Sequence, residues 1–238
     1  MANISWRIHT ANETSSTNDD ARGGVHGDVY SARFQTAGRG RIGHRWLSPP
    51  GANVIMSAVL SVADVPAERA ASIPIAAGLA AASAIRRFIP GESVSLKWPN
   101  DILSGRRKLS GILCERNGDH VIIGIGINVK RREFPPELSE RAASLADFDG
   151  FAATVEDVRD AVLEEIARIY PRWCESGLEP FMAEIRRLDC LCGKRVAVRQ
   201  TDDDSKPVSG MCGGISLDGS LMVNASPVYA GEAHIESW

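Results

Sequence analysis

Gly38-Arg39-Gly40-Arg41-Ile42-Gly43-His44-Arg45-Trp46 is the stretch on which the fold turns. Its glycines spell the G-x-G-x-x-G pattern of a dinucleotide-binding turn, which has force only where a helix comes next to receive a pyrophosphate on its N-terminus. The chain continues instead with Leu47-Ser48-Pro49-Pro50-Gly51, and adjacent prolines with a glycine stop any helix. A Rossmann unit is therefore rejected. A basic loop remains, in which glycines let the backbone approach an anion and Arg39, Arg41 and Arg45 supply the opposing charge. A tryptophan closing such a loop is costly to expose unless it covers something.

A second basic stretch, Lys97-Trp98-Pro99-Asn100-Asp101, is followed by Lys108-Leu109-Ser110-Gly111. Alone, the first is a strand ending in a Pro-Asn-Asp turn. With Lys108 leading into a strand that begins at Gly111, two amines and a carboxylate can meet at strand ends, where α/β domains place ligands. In the run over residues 120–129, side chains two apart share a face, so Gly124, Gly126 and Asn128 stand opposite Ile123, Ile125, Ile127 and Val129. The isoleucine side belongs in the core. The glycine side is either a trough for a flat ligand, ending in the Asn128 amide, or a seat for a neighbouring helix.

Around these motifs strand and helix signals alternate. Residues 15–21 read as a turn into a helix, and 29–34, 54–62, 94–98, 111–115 and 120–129 read as strands. Ile75, Leu79, Ala82, Ile85 and Ile89 recur at helical spacing behind Pro74. Thr154-Val155-Glu156-Asp157 is a capping pattern that opens a helix with Val158, Val162, Ile166, Ile169 and Trp173 on one face. After Cys192, short β-like pieces separated by Gly193, Asp202-Asp203-Asp204, Gly213-Gly214, Asp218-Gly219 and Gly231 predict a small barrel. The expected division is an α/β (α+β) mixed-sheet domain over residues 1–190 and a β-barrel over residues 191–238.

The 238 residues, 44% of them apolar, suffice for a full-sized core with an appendage, and a net charge of -3 gives no general attraction to nucleic acid or acidic membranes. The absence of a bilayer-length apolar run and of a signal pattern leads us to expect a cytoplasmic protein. Cys114, Cys174, Cys190, Cys192 and Cys212 are odd in number and form no CxxC pair, which favours structural thiols over disulfides or zinc. No carboxylate cluster has the spacing of a metal cage, and no metal ligand is assigned.

In this order and at these separations, Ser16-Thr17-Asn18, Gln35 with the 38–46 loop, residues 97–101, residues 108–113 and residues 124–129 resemble the motifs of the biotin protein ligases, also called biotin--[acetyl-CoA-carboxylase] ligases. The resemblance runs from about Ser15 to the C-terminus. It implies a catalytic domain related in fold to class II aminoacyl-tRNA synthetases and lipoate ligases, followed by an SH3-like barrel. With the Ser-Thr-Asn motif so near the start, it implies the short type without a DNA-binding helix-turn-helix. By the same resemblance Ser16, Thr17, Gln35, Gly38, Arg39, Arg41, Gly111, Gly124 and Gly126 hold biotin, while Arg41, Arg45, Trp46, Asn100 and Asn128 surround the adenylate. Lys108 touches both the biotin carboxylate and the phosphate, and Arg41, Lys97 and Asp101 join it in catalysis, Asp101 orienting Lys97 or helping to deprotonate the attacking amine. One departure stands out: family loops commonly carry an arginine where this chain has His44.

The implied chemistry is activation of biotin by ATP, with Mg2+ accompanying the nucleotide, followed by transfer to a lysine of a biotin carboxyl carrier domain. The 38–46 loop is expected to order over the adenylate and shield it from water. Ligation of lipoate is the nearest rival, and a non-catalytic binder that kept the pocket is a second. An edge strand could support a homodimer.

Overall fold

A computed structural model of the chain describes residues 4–131, 133–199 and 206–236. The chain opens with β1 (Arg7–Thr14), α1 (Thr17–Asp20), β2 (Asp28–Gln35) and β3 (Asn53–Ser61). Then come α2 (Ala67–Ala70), α3 (Ile73–Phe88), β4 (Val94–Lys97), β5 (Asp101–Ser104), β6 (Arg107–Asn117) and β7 (His120–Asn128). Helices α4 (Val155–Ser176) and α5 (Met182–Leu188) lead into β8 (Arg195–Arg199), β9 (Val208–Ile215), β10 (Leu221–Val223), β11 (Ser226–Val228) and β12 (Glu232–Ile235).

Strands β1 to β7 form one sheet in the order β1-β2-β3-β7-β6-β5-β4; β1 and β2 run parallel and every other neighbouring pair is antiparallel. This is the mixed sheet the sequence predicts. Strands β8 to β12 form a separate antiparallel sheet ordered β11-β10-β9-β8-β12, consistent with a small SH3-like domain. The expected Asp202-Asp203-Asp204 turn lies outside the described residues. Two strands of the large sheet go beyond the sequence reading. β1 is polar and mostly exposed, so it lacks the apolar alternation that marks a strand, and β5 begins at Asp101, the last residue of what reads as a turn.

The isoleucine face of β7 lies in the core, where Ile123, Ile125 and Ile127 are all buried, beneath α3 and α4. Small residues let α3 approach closely: Ala77, Ala80, Ala81 and Ala84 are buried, and a Cβ on Gly78 would stand 2.7 Å from Leu96 Cδ1. The α4 N-terminus forms the expected capping box, with the Thr154 hydroxyl accepting from Asp157 N at 3.0 Å and Asp157 Oδ2 accepting from Thr154 N at 2.8 Å. On its buried face Trp173 donates Nε1–H to Ser72 Oγ at 2.9 Å.

Trp98 joins the two sheets. It is 2% exposed, and its Nε1–H donates to Gly219 O, in the turn between β9 and β10, at 2.9 Å. Asp189 Oδ2 accepts from Ile215 N at 3.2 Å beside it, so the C-terminal sheet is held against the β4 end of the large sheet. That end is also where the basic motifs converge.

Candidate functional site

A cavity of about 240 Å³ lies between α1, the 38–46 loop, the β4–β5 turn, β6, β7 and the edge of β12. The loop is a hairpin. Trp46 N donates to Gly38 O at 2.9 Å and Gly40 N to His44 O at 2.6 Å, while Ile42 and Gly43 make the turn with φ of 53° and 73°. A Cβ on Gly38 would stand 2.6 Å from Trp46 O, so only glycine permits this closure.

At the hairpin's base, Arg39 makes a two-pronged ion pair with Asp19 of α1, at 2.6 and 2.8 Å, and lies 3.6 Å from Glu115 of β6. The bond from Arg39 holds the Asp19 carboxyl below its ordinary range and, in return, raises the guanidinium. Arg41 is different. Burial pushes its guanidinium down, partly offset by Glu232 and Asp101, and among the described residues no carboxylate lies within the 4.0 Å of an ion pair.

Lys108 reaches the cavity through a β-bulge. Residues three apart on a regular strand face opposite ways, but Ile102 pairs with Ser110 and Leu103 with Lys108, leaving Leu109 as an extra residue. Lys108 and Gly111 therefore share a side, and Lys108 Nζ lies 3.0 Å from where a Gly111 Cβ would be. Its counter-ion is Asp101 Oδ1 at 2.6 Å. Of the two roles expected for Asp101, orienting Lys97 or helping to deprotonate the amine, neither is shown by this contact, which pairs Asp101 with Lys108. Lys97 Cα sits opposite Asp101 across the β4–β5 hairpin, and Lys97 lines the cavity.

The glycine face of β7 is a seat for side chains. A Cβ on Gly124 would collide with the Asn18 amide, and one on Gly126 with the Trp46 indole. The glycines seat neighbouring elements, the helix α1 at Gly124 and the hairpin at Gly126. Among the described residues, Trp46 Nε1 is the one buried side-chain nitrogen or oxygen without a hydrogen-bond partner. Opposite, Gln35 Oε1 accepts from Thr17 N at 2.7 Å and Thr17 Oγ1 at 3.1 Å, and the Ser57 hydroxyl lies 2.6 Å from Asn18 Oδ1.

Ser16, Thr17, Gln35, Arg39, Arg41, Arg45, Trp46, Lys97, Asn100, Asp101, Lys108, Gly111, Gly124 and Gly126 all line this cavity. Gly38 and Asn128 do not. Asn128 is buried at the far end of β7, donating to Ala143 O at 3.1 Å and accepting from Asn53 Nδ2 at 3.1 Å, so its amide fixes the chain after β7 instead of facing the cavity. Asn100 lines the cavity while its Nδ2–H is used on Ile112 O at 2.7 Å. The sequence reading missed Asp19, one residue beyond its motif, and Glu232 and His234 of β12, which no local pattern marks.

The arrangement gathers cations around the pocket, with Arg41 and Arg45 lacking an ion-pair partner among the described residues. Such a site suits a ligand carrying negative charge.

Comparison with known proteins gives concordant results. The sequence model of the biotin/lipoate A/B protein ligase family matches residues 11–128. The biotin--[acetyl-CoA-carboxylase] ligase of Mycobacterium tuberculosis is 34% identical over 206 residues, covering 83% of this chain and 76% of that protein. The bifunctional ligase/repressor BirA of Escherichia coli is 29% identical over 220 residues, 89% of this chain and 67% of that protein. Among solved structures, the biotin protein ligase of Aquifex aeolicus in complex with biotin and ATP superposes with a TM-score of 0.82 at 28% identity, covering 96% of this chain and 98% of that one.

Proposed function

Because this chain belongs to the biotin/lipoate A/B protein ligase family, we propose that it activates biotin with ATP and transfers it to a lysine of a biotin carboxyl carrier protein domain. In the first step a biotin carboxylate oxygen bonds to the α-phosphorus of ATP and the bond to pyrophosphate breaks, giving biotinyl-5'-adenylate. In the second, the carrier lysine's uncharged amine bonds to the activated carbonyl, AMP departs with the bonding electron pair, and the amine loses a proton. Mg2+ arrives with the nucleotide as part of the substrate.

The first step brings two anions together. At ~4 Å and an effective dielectric of about 20, unit charges repel by roughly 4 kcal/mol. The observation that carries the reading is the Arg41 guanidinium, half-buried at the cavity without an ion-pair partner among the described residues. A cation desolvated this way is stabilised by an incoming anion. Lys108, already held in place by Asp101, adds a second charge that exchanges partners without having to be ordered first. Arg39 serves differently: with its charge met by Asp19, it fixes the hairpin and offers remaining N–H donors to biotin. Ser16, Thr17, Gln35, Gly111, Gly124 and Gly126 shape the biotin pocket, and the Trp46 N–H, without a partner among the described residues, is available to an acceptor. Arg45, Trp46 and Asn100 line the adenylate side, and Lys97 assists catalysis. Asn128 contributes from behind, by holding the end of β7.

No helix among the described residues is long and apolar enough to cross a membrane. We place the reaction in the cytoplasm, where ATP and carrier are available. The exposed edge strand β1 offers a second copy a surface for a homodimer.

The test is to incubate purified protein with a carrier domain, ATP-Mg2+ and either biotin or lipoate, and to weigh the carrier by mass spectrometry. A biotin adduct on one lysine is expected. A lipoyl adduct with no biotinyl adduct would overturn the substrate, and an unmodified carrier would overturn the activity.

A further inference from the structure

The 38–46 hairpin is tied at both ends, to different domains. Its base is held by Arg39 on Asp19 of α1. Its tip turns at Ile42 and Gly43 and presents His44 Nε2 to Glu232 Oε1 of β12 at 3.1 Å. Strand β12 is in turn fixed by its pairing with β8, where Glu232 stands opposite Arg199. Between the two ties lies Arg41, and the same β12 segment, Glu232 to His234, walls the cavity.

We propose that Glu232 is a positioning residue that acts through His44, latching the hairpin tip to the C-terminal domain so that the lid stays closed over the cavity. The inference rests on the adenylation reading for its purpose, because an activated acyl-phosphate intermediate is lost if the lid opens early. His44 is 66% and Glu232 39% exposed, so the link is weak, as suits a lid that must open in every turnover. It also gives the departure at His44 a use. An imidazole one carbon from the backbone can reach β12 where a longer arginine would be free to turn toward the pocket.

The test compares E232Q, H44A, the double variant and H44R, with two readouts. The first is biotin placed on bystander protein relative to carrier, which reports escaped adenylate. The second is amide hydrogen exchange of residues 40–46, which needs no substrate. Each single variant should raise bystander labelling and exchange by about two- to fivefold, the range open to an exposed ion pair. The double variant should do no more than the larger single, and H44R, whose longer side chain is free to turn toward the pocket, should behave like H44A. Effects that multiply in the double variant, an effect of E232Q without one of H44A, or unchanged exchange in both singles would overturn the latch. If the unmutated protein forms no adenylate, the functional reading falls while hydrogen exchange still decides the latch.

Discussion

Lys108 shows how much a single residue's use depends on its neighbours. Its ammonium is brought to the cavity by a bulged Leu109, held by Asp101 at 2.6 Å, and stands 5.8 Å from the Trp46 ring centroid. Lys108→Ala should therefore cost adenylation about 3 kcal/mol or more, by analogy with loss of one preorganised donor at a charge-developing centre. Pyrophosphate release in a single turnover measures this, and a near-normal rate would dismiss Lys108 as the bridging cation. Gly126 makes the opposite point, since its value is the absence of a side chain. Gly126→Ala would drive a methyl into the Trp46 indole, an overpacking of roughly 1–3 kcal/mol at a wall of the pocket. Calorimetric titration with biotin should show affinity falling by about tenfold. These glycines were legible in the sequence as a featureless strand face. That Asn18 and Trp46 would fill it was not, because both come from elements far away in the chain.

At the scale of elements, the strongest local signals became the most faithful structures. The Thr154–Asp157 capping box opens α4 where its sequence pattern predicts, and Thr154→Ala should cost about 1 kcal/mol, or about 2–4 °C in a thermal melt for a chain of this size. β1 was invisible for a physical reason: a polar edge strand is held by its ladder with β2 and by charge, not by an apolar face. That charge is concentrated on Asp28. Burial alone would raise this carboxyl, but the Val25 N–H, His9 and Arg7 outweigh it and hold it at about 2. A folded-state value below the unfolded one stabilises the fold above the ordinary carboxylate range near 3.8 and ceases to do so as pH falls toward about 2. Urea midpoints taken between about pH 5 and pH 2 should fall steeply for the unmutated protein and less steeply for Asp28→Asn, which lacks this proton linkage. Parallel curves would show that Asp28 does not couple β1 to acid stability.

At the scale of the whole molecule, the Lys97 to Asp101 motif serves both domains. Trp98 bonds the C-terminal sheet through its Nε1–H, and Lys97 and Asp101 line the cavity beside it. Trp98→Phe keeps most of the buried ring but strands Gly219 O, a loss of about 1–3 kcal/mol. Limited proteolysis should then cut faster near residues 189–194, and calorimetry should show the C-terminal sheet melting ahead of the rest; a single unshifted transition would refute the coupling. Sequence alone determined the mixed α/β core, the small C-terminal β-domain and most of the residues that line the cavity. Periodicity and glycine placement are local properties, and the family's motifs are short and ordered. Only the tertiary structure decided which charges are already paired, that Asn128 is spent behind the site, and that β12 closes it. Those outcomes depend on distances between residues far apart in the chain, His44 and Glu232 above all, which nothing in local sequence spacing encodes.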